Sequence, residues 1–327
     1  MVDTPSLSTE QQKPHSKHTG VRGILVAILK VFIVGVLLYF LYRQVAVHWD
    51  EIRATDWTID FFWLIPSILT GLVTFAIMAS VWRGIIGAFG HRLRLREAFR
   101  IIYLSDLGRY IPGKVWQLFG VLYLARQKGI PPEQAGASFV LVQMFAIPAS
   151  FLVFVLAAQF ESRLLTDQIS FLGKQSSYIL TGTMVAACLA LVLVPQRFIT
   201  LGNRLLRRFK RPAIDFRLDK TVALTIFVGY CIGWICYGVA FWLFVRAVVP
   251  DSRLSLVAGV GLFNAAYQIG YLTLIAPGGL GPRELVMGTL LIPFVGPIGP
   301  AVAIAARLWA IIIESSAALL ALAVGKR

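Results

Sequence analysis

The chain has 327 residues, of which 57% are hydrophobic and 14% charged, against about 25% charged in a soluble domain. Its mean hydropathy is +0.75, and the apolar residues gather in runs close to the ~20 residues a helix needs to cross a bilayer core, which excludes an ordinary soluble domain. The net charge of +15 does not point to nucleic acid, which asks for a soluble basic face; here Lys and Arg sit in short loops between apolar runs, as the positive-inside bias requires.

Residues 1–22 are polar and lack helical periodicity, which predicts a disordered cytosolic tail. The apolar run at 24–42 is too long for a signal-peptide core and no small-residue cleavage site follows, so it reads as a retained signal anchor. Further apolar runs lie at 61–82, 101–123, 136–159, 178–195, 222–248, 255–275, 284–297 and 299–324. Two of them stand apart. The run at 101–123 contains Asp106, Arg109, Pro112, Gly113 and Lys114, and the run at 284–297 is short and follows the glycine-rich stretch IAPGGLGPRE.

Loop charge sets the orientation. The loop at 83–100 carries Arg83, Arg92, Arg94, Arg96 and Arg100, and 196–220 carries eight cations, whereas 160–177 carries only Arg163 and Lys174. Rich and poor loops alternate, with the N-terminus, 83–100 and 196–220 in the cytosol, only if 101–123 does not cross. A re-entrant hairpin broken at Pro112-Gly113 is therefore predicted, and broken backbone at membrane depth is tolerated only inside protein or beside a wet cavity. The segment 196–211, QRFITLGNRLLRRFKR, interleaves apolar residues with six cations, which suits either a helix on the cytosolic lipid surface or a plain orientation signal. Cys188, Cys231 and Cys236 fall in apolar segments without metal or disulfide spacing, and Gly229 and Gly233 form a GxxxG pair expected to pack closely.

Pro277-Gly278 follows Pro112-Gly113 by 165 positions, and Pro297 follows Pro132 by the same interval. Each time the order is a Pro-Gly break, a short apolar helix, a proline turn and a long apolar helix. Paired interruptions in two halves of a membrane chain are a pointer to a transporter's central site. The expected fold is an all-α polytopic membrane protein of about 7–8 transmembrane helices, with two re-entrant Pro-Gly-broken segments related by an internal repeat. One membrane domain at 23–325 is expected, with halves 23–195 and 222–325 joined by the basic cytosolic segment 196–221.

The segments Tyr110-Ile-Pro-Gly-Lys114 and Ala276-Pro-Gly-Gly-Leu-Gly-Pro-Arg-Glu284, with Arg307 in the helix after the second, resemble the lysylphosphatidylglycerol synthase transmembrane (flippase-like) family over roughly residues 20–325. The resemblance implies a membrane domain that moves lipids between leaflets, in some members fused to a soluble aminoacyl-transfer domain. No such domain is expected on this chain, which argues against lysyl transfer by this polypeptide alone. The chain also departs from the family where members often carry a charged pair, reading Val142-Gln143-Met144 instead.

Charges at membrane depth each cost about 2.5–3.5 kcal/mol on insertion scales, so each calls for a partner or a function. Arg307 and Glu314 lie seven residues apart on one helical face, roughly 10 Å along the axis, so each is expected to meet a group on another element. Arg283 and Glu284 open the short helix after the glycine-rich break, where free backbone N–H groups and a guanidinium suit a phosphate; Glu284 would orient Arg283 or meet a cationic part of the headgroup. Asp106 and Arg109 have the i, i+3 spacing of a local ion pair, and Arg109 and Lys114 are candidates for the second half of the site. The expected headgroup residues are thus Arg283, Glu284, Arg307, Glu314, Arg109 and Lys114, shaped by Pro112, Gly113, Pro277, Gly278, Gly279 and Gly281. Gln143 and Asn264 are expected to hydrogen-bond across helices.

No P-loop, HExxH, GxSxG or CxxC pair occurs, and all four histidines lie outside apolar runs. No catalytic residue, metal site or cofactor is expected. The function expected is lipid translocation of a phospholipid or lipid-linked anionic headgroup in the bacterial inner membrane. A separate lipid-synthesising enzyme or glycosyltransferase is the expected protein partner, and no nucleic acid. The alternative is a membrane enzyme, or accessory subunit, of lipid or lipid-linked sugar modification. The side of the C-terminus stays open.

Overall fold

The computed structural model describes residues 59–110, 115–164, 174–208, 216–273 and 281–324, with the isolated positions 46 and 53. The predicted tail 1–22, the run at 24–42, and the breaks at 111–114 and 274–280 lie outside the described residues. So do the stretch 209–215 and the last three residues. Among the described residues all regular structure is helical, as the apolar runs predict.

Helix α1 (Phe61–Ala88) starts where Asp60 accepts a hydrogen bond from the Phe62 amide at 2.8 Å, satisfying one of the orphan donors of a helix start. It lies antiparallel to α7 (Lys220–Val248): the Asp60 amide donates to Ala247 at 2.9 Å, and the Ser67 hydroxyl to Ala240 at 2.6 Å. The GxxxG pair sits in this contact as expected. A Cβ on Gly229 would come within 2.6 Å of Val81, and one on Gly233 within 3.1 Å of Met78.

The run at 101–123 resolves into two helices, α2 (Leu95–Asp106) and α3 (Val115–Arg126), with a 3₁₀ turn at Leu107–Tyr110 after α2. They run antiparallel: Gly108 abuts the backbone of Trp116 and Gln117, while Gly120 abuts Ser105. Lys128 ties the base of this hairpin to Glu97 at 2.7 Å and holds the Glu97 carboxyl below the usual carboxylate range. Helix α4 (Pro132–Phe160) follows. Helix α5 (Lys174–Leu193) is turned by 89° into α6 (Pro195–Arg208), the arginine-rich segment.

After α7 come α8 (Leu256–Leu272), α9 (Pro282–Val295), a 3₁₀ turn at Gly296–Ile298 and α10 (Gly299–Val324). Helices α8 and α9 form a second antiparallel hairpin. At one end the Arg253 amide donates to Phe294 at 3.0 Å, and at the other Gly270 abuts Arg283. Helix α9 then doubles back on α10, where a Cβ on Gly288 would meet Pro300 at 2.9 Å. The packing of the two hairpins is reciprocal: α2 lies against α10, and α8 against α4.

Four described stretches are long and apolar enough to cross a membrane: α1, α4, α7 and 282–324. Counting the bent α5–α6 pair makes five. Because α9 folds back on α10, the stretch 282–324 is two helices rather than one straight span. Helix α8, with 17 residues, reaches only about 26 Å, short of a ~30 Å hydrocarbon core. The protein is an integral membrane protein.

The core is aromatic. Tyr237, Phe241, Phe263 and Trp309 pack with ring centroids 4.6–6.3 Å apart. The Trp309 indole donates to Ser67 at 2.9 Å, which links α10 to α1 and, through the Ser67 bond to Ala240, to α7. Asn264 does what was expected of it: it accepts from Ser150 at 2.7 Å and donates to Trp234 at 3.2 Å, joining α8 to α4 and α7. Asn264→Leu is expected to lower stability by about 1 kcal/mol, since single interhelical hydrogen bonds in membranes are worth about 0.6 to 2. Thermal unfolding in micelles measures it.

Candidate functional site

Each hairpin carries charge toward the middle of the protein. In the first, the 3₁₀ turn after α2 places Arg109 one helical turn beyond Asp106. Its Nη2 lies 3.0 Å from the Asp106 carboxylate and its Nε donates to the Asp106 carbonyl at 3.1 Å, the local pair expected from the spacing. Gln117, at the start of α3, donates to the other Asp106 oxygen. Arg109 also reaches across the fold: Nη1 donates to the Tyr267 hydroxyl on α8 at 2.8 Å and lies 3.4 Å from Glu314 on α10. The neighbouring Tyr110 hydroxyl donates to the second Glu314 oxygen.

In the second hairpin, Gly281 adopts φ +90°, a backbone conformation that favours glycine, and α9 begins at the next residue. Glu284 caps that start, accepting from the Gly281 amide at 2.7 Å. Its other oxygen lies 3.7 Å from Arg307 Nε on α10. Among the described residues Glu284 thus meets Gly281 and Arg307; of the two roles expected for it, orienting Arg283 or meeting a cationic part of the headgroup, the first has no contact to support it. The reason is geometric: adjacent residues on a helix point about 100° apart, so Glu284 faces α10 while Arg283 faces α8.

Arg283 is 4% exposed. Its guanidinium stacks over Tyr267 at 4.8 Å and Phe263 at 5.5 Å, both on α8. Its Nη2 is buried and has no hydrogen-bond partner among the described residues. The backbone of α8 comes this close because position 270 is glycine: a Cβ there would sit 2.6 Å from the Arg283 Cβ. Gly270→Val is expected to force α8 and α9 apart, costing about 1–3 kcal/mol as overpacking does. A lowered thermal midpoint and loss of Arg283 protection from arginine-modifying reagents would report it.

Arg307 and Glu314, too far apart for each other, meet other elements as anticipated. Arg307 lies 5.7 Å over the Tyr110 ring and faces Glu284, while Glu314 takes Arg109 and Tyr110. The cluster balances three carboxylates (Asp106, Glu284, Glu314) against three guanidiniums (Arg109, Arg283, Arg307). That balance lowers the cost of charge in a low-dielectric interior. Lys114, Pro112, Gly113, Pro277, Gly278 and Gly279 lie outside the described residues.

Beside the Asp106–Arg109 pair lies a cavity of about 120 Å³, between α1, the first hairpin, α4, α7 and α8. Five tyrosines line it, with Gln117, Gln143 and Gln268. Gln143, expected to bridge helices, faces this space. Sequence reasoning missed Tyr110, Gln117, Tyr237, Tyr267 and Gln268. The two glutamines interrupt apolar runs as Gln143 does, which is a readable signal; a tyrosine among many aromatics is not. Among the described residues no group of three His, Cys, Asp or Glu side chains is placed to hold a metal ion.

No curated protein matches the chain. A family of membrane domains linked to lipid modification or translocation does, over residues 27–322, which takes in both hairpins and the buried network between them. The chain belongs to the family described as the lysylphosphatidylglycerol synthase TM region.

Proposed function

We propose that this protein translocates a phospholipid or a lipid-linked anionic headgroup across the bacterial inner membrane, with its N-terminus in the cytosol. The observation that carries this reading is Arg283, a buried guanidinium with one nitrogen lacking a partner among the described residues. It stands at a helix start beside a glycine-rich break. A planar fork of donors at a helix N-terminus is the chemistry that takes a phosphate. Charge at membrane depth is otherwise expensive, and a passing anionic headgroup gives it a use.

The architecture we infer is a single membrane domain at 23–325 with eight membrane-inserted segments counting the run at 24–42, six that cross and two re-entrant hairpins related by an inverted repeat. Three observations support it. Shifted by 165 positions, α2, α3 and α4 fall at 260–271, 280–291 and 297–325, over α8, α9 and α10. The hairpins pack reciprocally, α2 on α10 and α8 on α4. Helices α1 and α7 cross antiparallel, as inverted halves would. The basic helix α6 would lie on the cytosolic lipid surface, where each cation near anionic headgroups contributes about 1 kcal/mol. A lipid-synthesising enzyme or glycosyltransferase would act beside it, supplying the lipid.

The family description, a synthase TM region, favours a second reading as an accessory subunit of lipid modification. Purified protein in liposomes separates the two. If fluorescent lipids change leaflet without any enzyme present, the translocation reading stands. If movement or modification requires an added lipid enzyme, the subunit reading replaces it.

A further inference from the structure

We propose that the tyrosine-lined cavity recognises an uncharged, hydroxyl-rich group, a sugar or a polyol. The charged residues of its lining are Asp106 and Arg109, and they are paired with each other at 3.0 Å. The wall therefore carries no net charge with which to select an ion. Two buried neutral groups on residues of this lining, the Gln268 side-chain oxygen and the Tyr237 hydroxyl, on residues only 1% and 2% exposed, have no hydrogen-bond partner among the described residues. Burying such groups unpaired is costly, and more so where no bulk water reaches.

Hydrogen-bond logic narrows the occupant. A phosphate oxygen only accepts and an ammonium only donates, whereas a hydroxyl does both. A hydroxyl satisfies Gln268 in either orientation of its amide, and Tyr237 in either rotor state. Several hydroxyls on one ring also suit the three glutamines that face the space. The rings of Tyr103, Tyr267 and Trp234 in the lining add apolar surface for the C–H side of such a group. At about 120 Å³ the cavity far exceeds the ~10–15 Å³ that admits one water.

This deepens, and in one respect rests on, the translocation reading: the cavity would take the hydroxyl-bearing end of the same headgroup whose phosphate meets Arg283. Tyr267 joins the two places, lining the cavity and lying under the Arg283 guanidinium.

Binding is measured on the protein in phosphatidylcholine nanodiscs, free of sugar detergents, by quenching of tryptophan fluorescence; Trp82 and Trp234 line the cavity. The probes are octyl glucoside below its micellar concentration, free glucose, octyl phosphate and octyltrimethylammonium. Saturable binding of a sugar probe is expected, tighter than either ionic probe and weakened roughly tenfold by Gln268→Leu or Tyr237→Phe, the loss of one buried hydrogen bond. Preference for octyl glucoside over glucose assigns the sugar to a lipid, and the reverse to a free solute. The proposal is overturned if an ionic probe binds as tightly, if neither variant weakens sugar binding, or if neither sugar binds the folded protein and the cavity holds water alone. Sugar binding without lipid movement in liposomes would leave the pocket standing and remove the translocation reading.

Discussion

Glu314→Ala is expected to lower the stability of the protein by about 3 kcal/mol, the scale for breaking a buried ion pair by deleting one partner. The cost is larger than the loss of two contacts would give, because interhelical hydrogen bonds in membranes average only about 0.6 kcal/mol. What dominates is charge. Three carboxylates balance three guanidiniums in the buried network, and Glu314 is the carboxylate that brings α10 to the first hairpin through Arg109 and Tyr110. Deleting it leaves an uncompensated cation at membrane depth. Deleting Arg109 as well restores the net balance at two carboxylates to two guanidiniums, while Asp106 keeps its hydrogen bond from Gln117. The double variant Arg109→Ala, Glu314→Ala is therefore expected to lose less than the sum of the single losses, by about 0.5–3 kcal/mol. Reversible unfolding of the four proteins in micelles measures the coupling. Additive losses would mean that the 3.4 Å approach carries no energy.

Arg283→Lys is expected to slow lipid movement by roughly ten- to a hundredfold while leaving fold and abundance unchanged. The charge is kept, so the balance of the network survives. What is lost is the planar fork and its stacking over Tyr267 and Phe263. Charge-assisted hydrogen bonds contribute about 1.5–3 kcal/mol each, which sets the size of the effect. An Nη2 buried with no partner among the described residues is a cost to folding, so the variant should be no less stable than the parent. A fall in stability with unchanged transport would make Arg283 a packing residue.

Much of this arrangement was legible in the sequence, and the legible parts share a cause. Helix breaks follow from proline and glycine chemistry, so the interruption of 101–123 and the start of α9 after Gly281 could be read locally. The Asp106–Arg109 pair needed only helical periodicity. Burial of Arg307 and Glu314 away from each other followed from 1.5 Å per residue and the cost of unpaired charge. The choice of partners did not. Glu284 meets Arg307, and Glu314 meets Arg109 and Tyr110, because α10 packs between the two hairpins; no spacing within one segment encodes that. The tyrosine cavity was hidden for a related reason. In an apolar helix, Tyr237 and Tyr267 look like any packed aromatic until neighbouring helices leave space at their hydroxyls. Gln143 was read as a helix-to-helix bond because polar groups in apolar runs usually are, and Asn264 obeys that rule; Gln143 differs because α4 turns it toward the cavity. The hydropathy runs also merged what the backbone divides: α2 begins six residues before the run at 101–123, because Arg96, Glu97 and Arg100 keep its first turns out of an apolar run.

The central claim is that lipid crosses at the site around Arg283. Its most direct test is leaflet exchange in proteoliposomes holding the purified protein and trace lipids with fluorescent headgroup analogues, a membrane-impermeant reductant bleaching only the outer leaflet. Headgroup-dependent exchange, fast with the parent protein and abolished in Arg283→Ala of the same fold and abundance, is the predicted result. Exchange that Arg283→Ala leaves untouched, or no exchange by demonstrably folded protein for any headgroup, would contradict it.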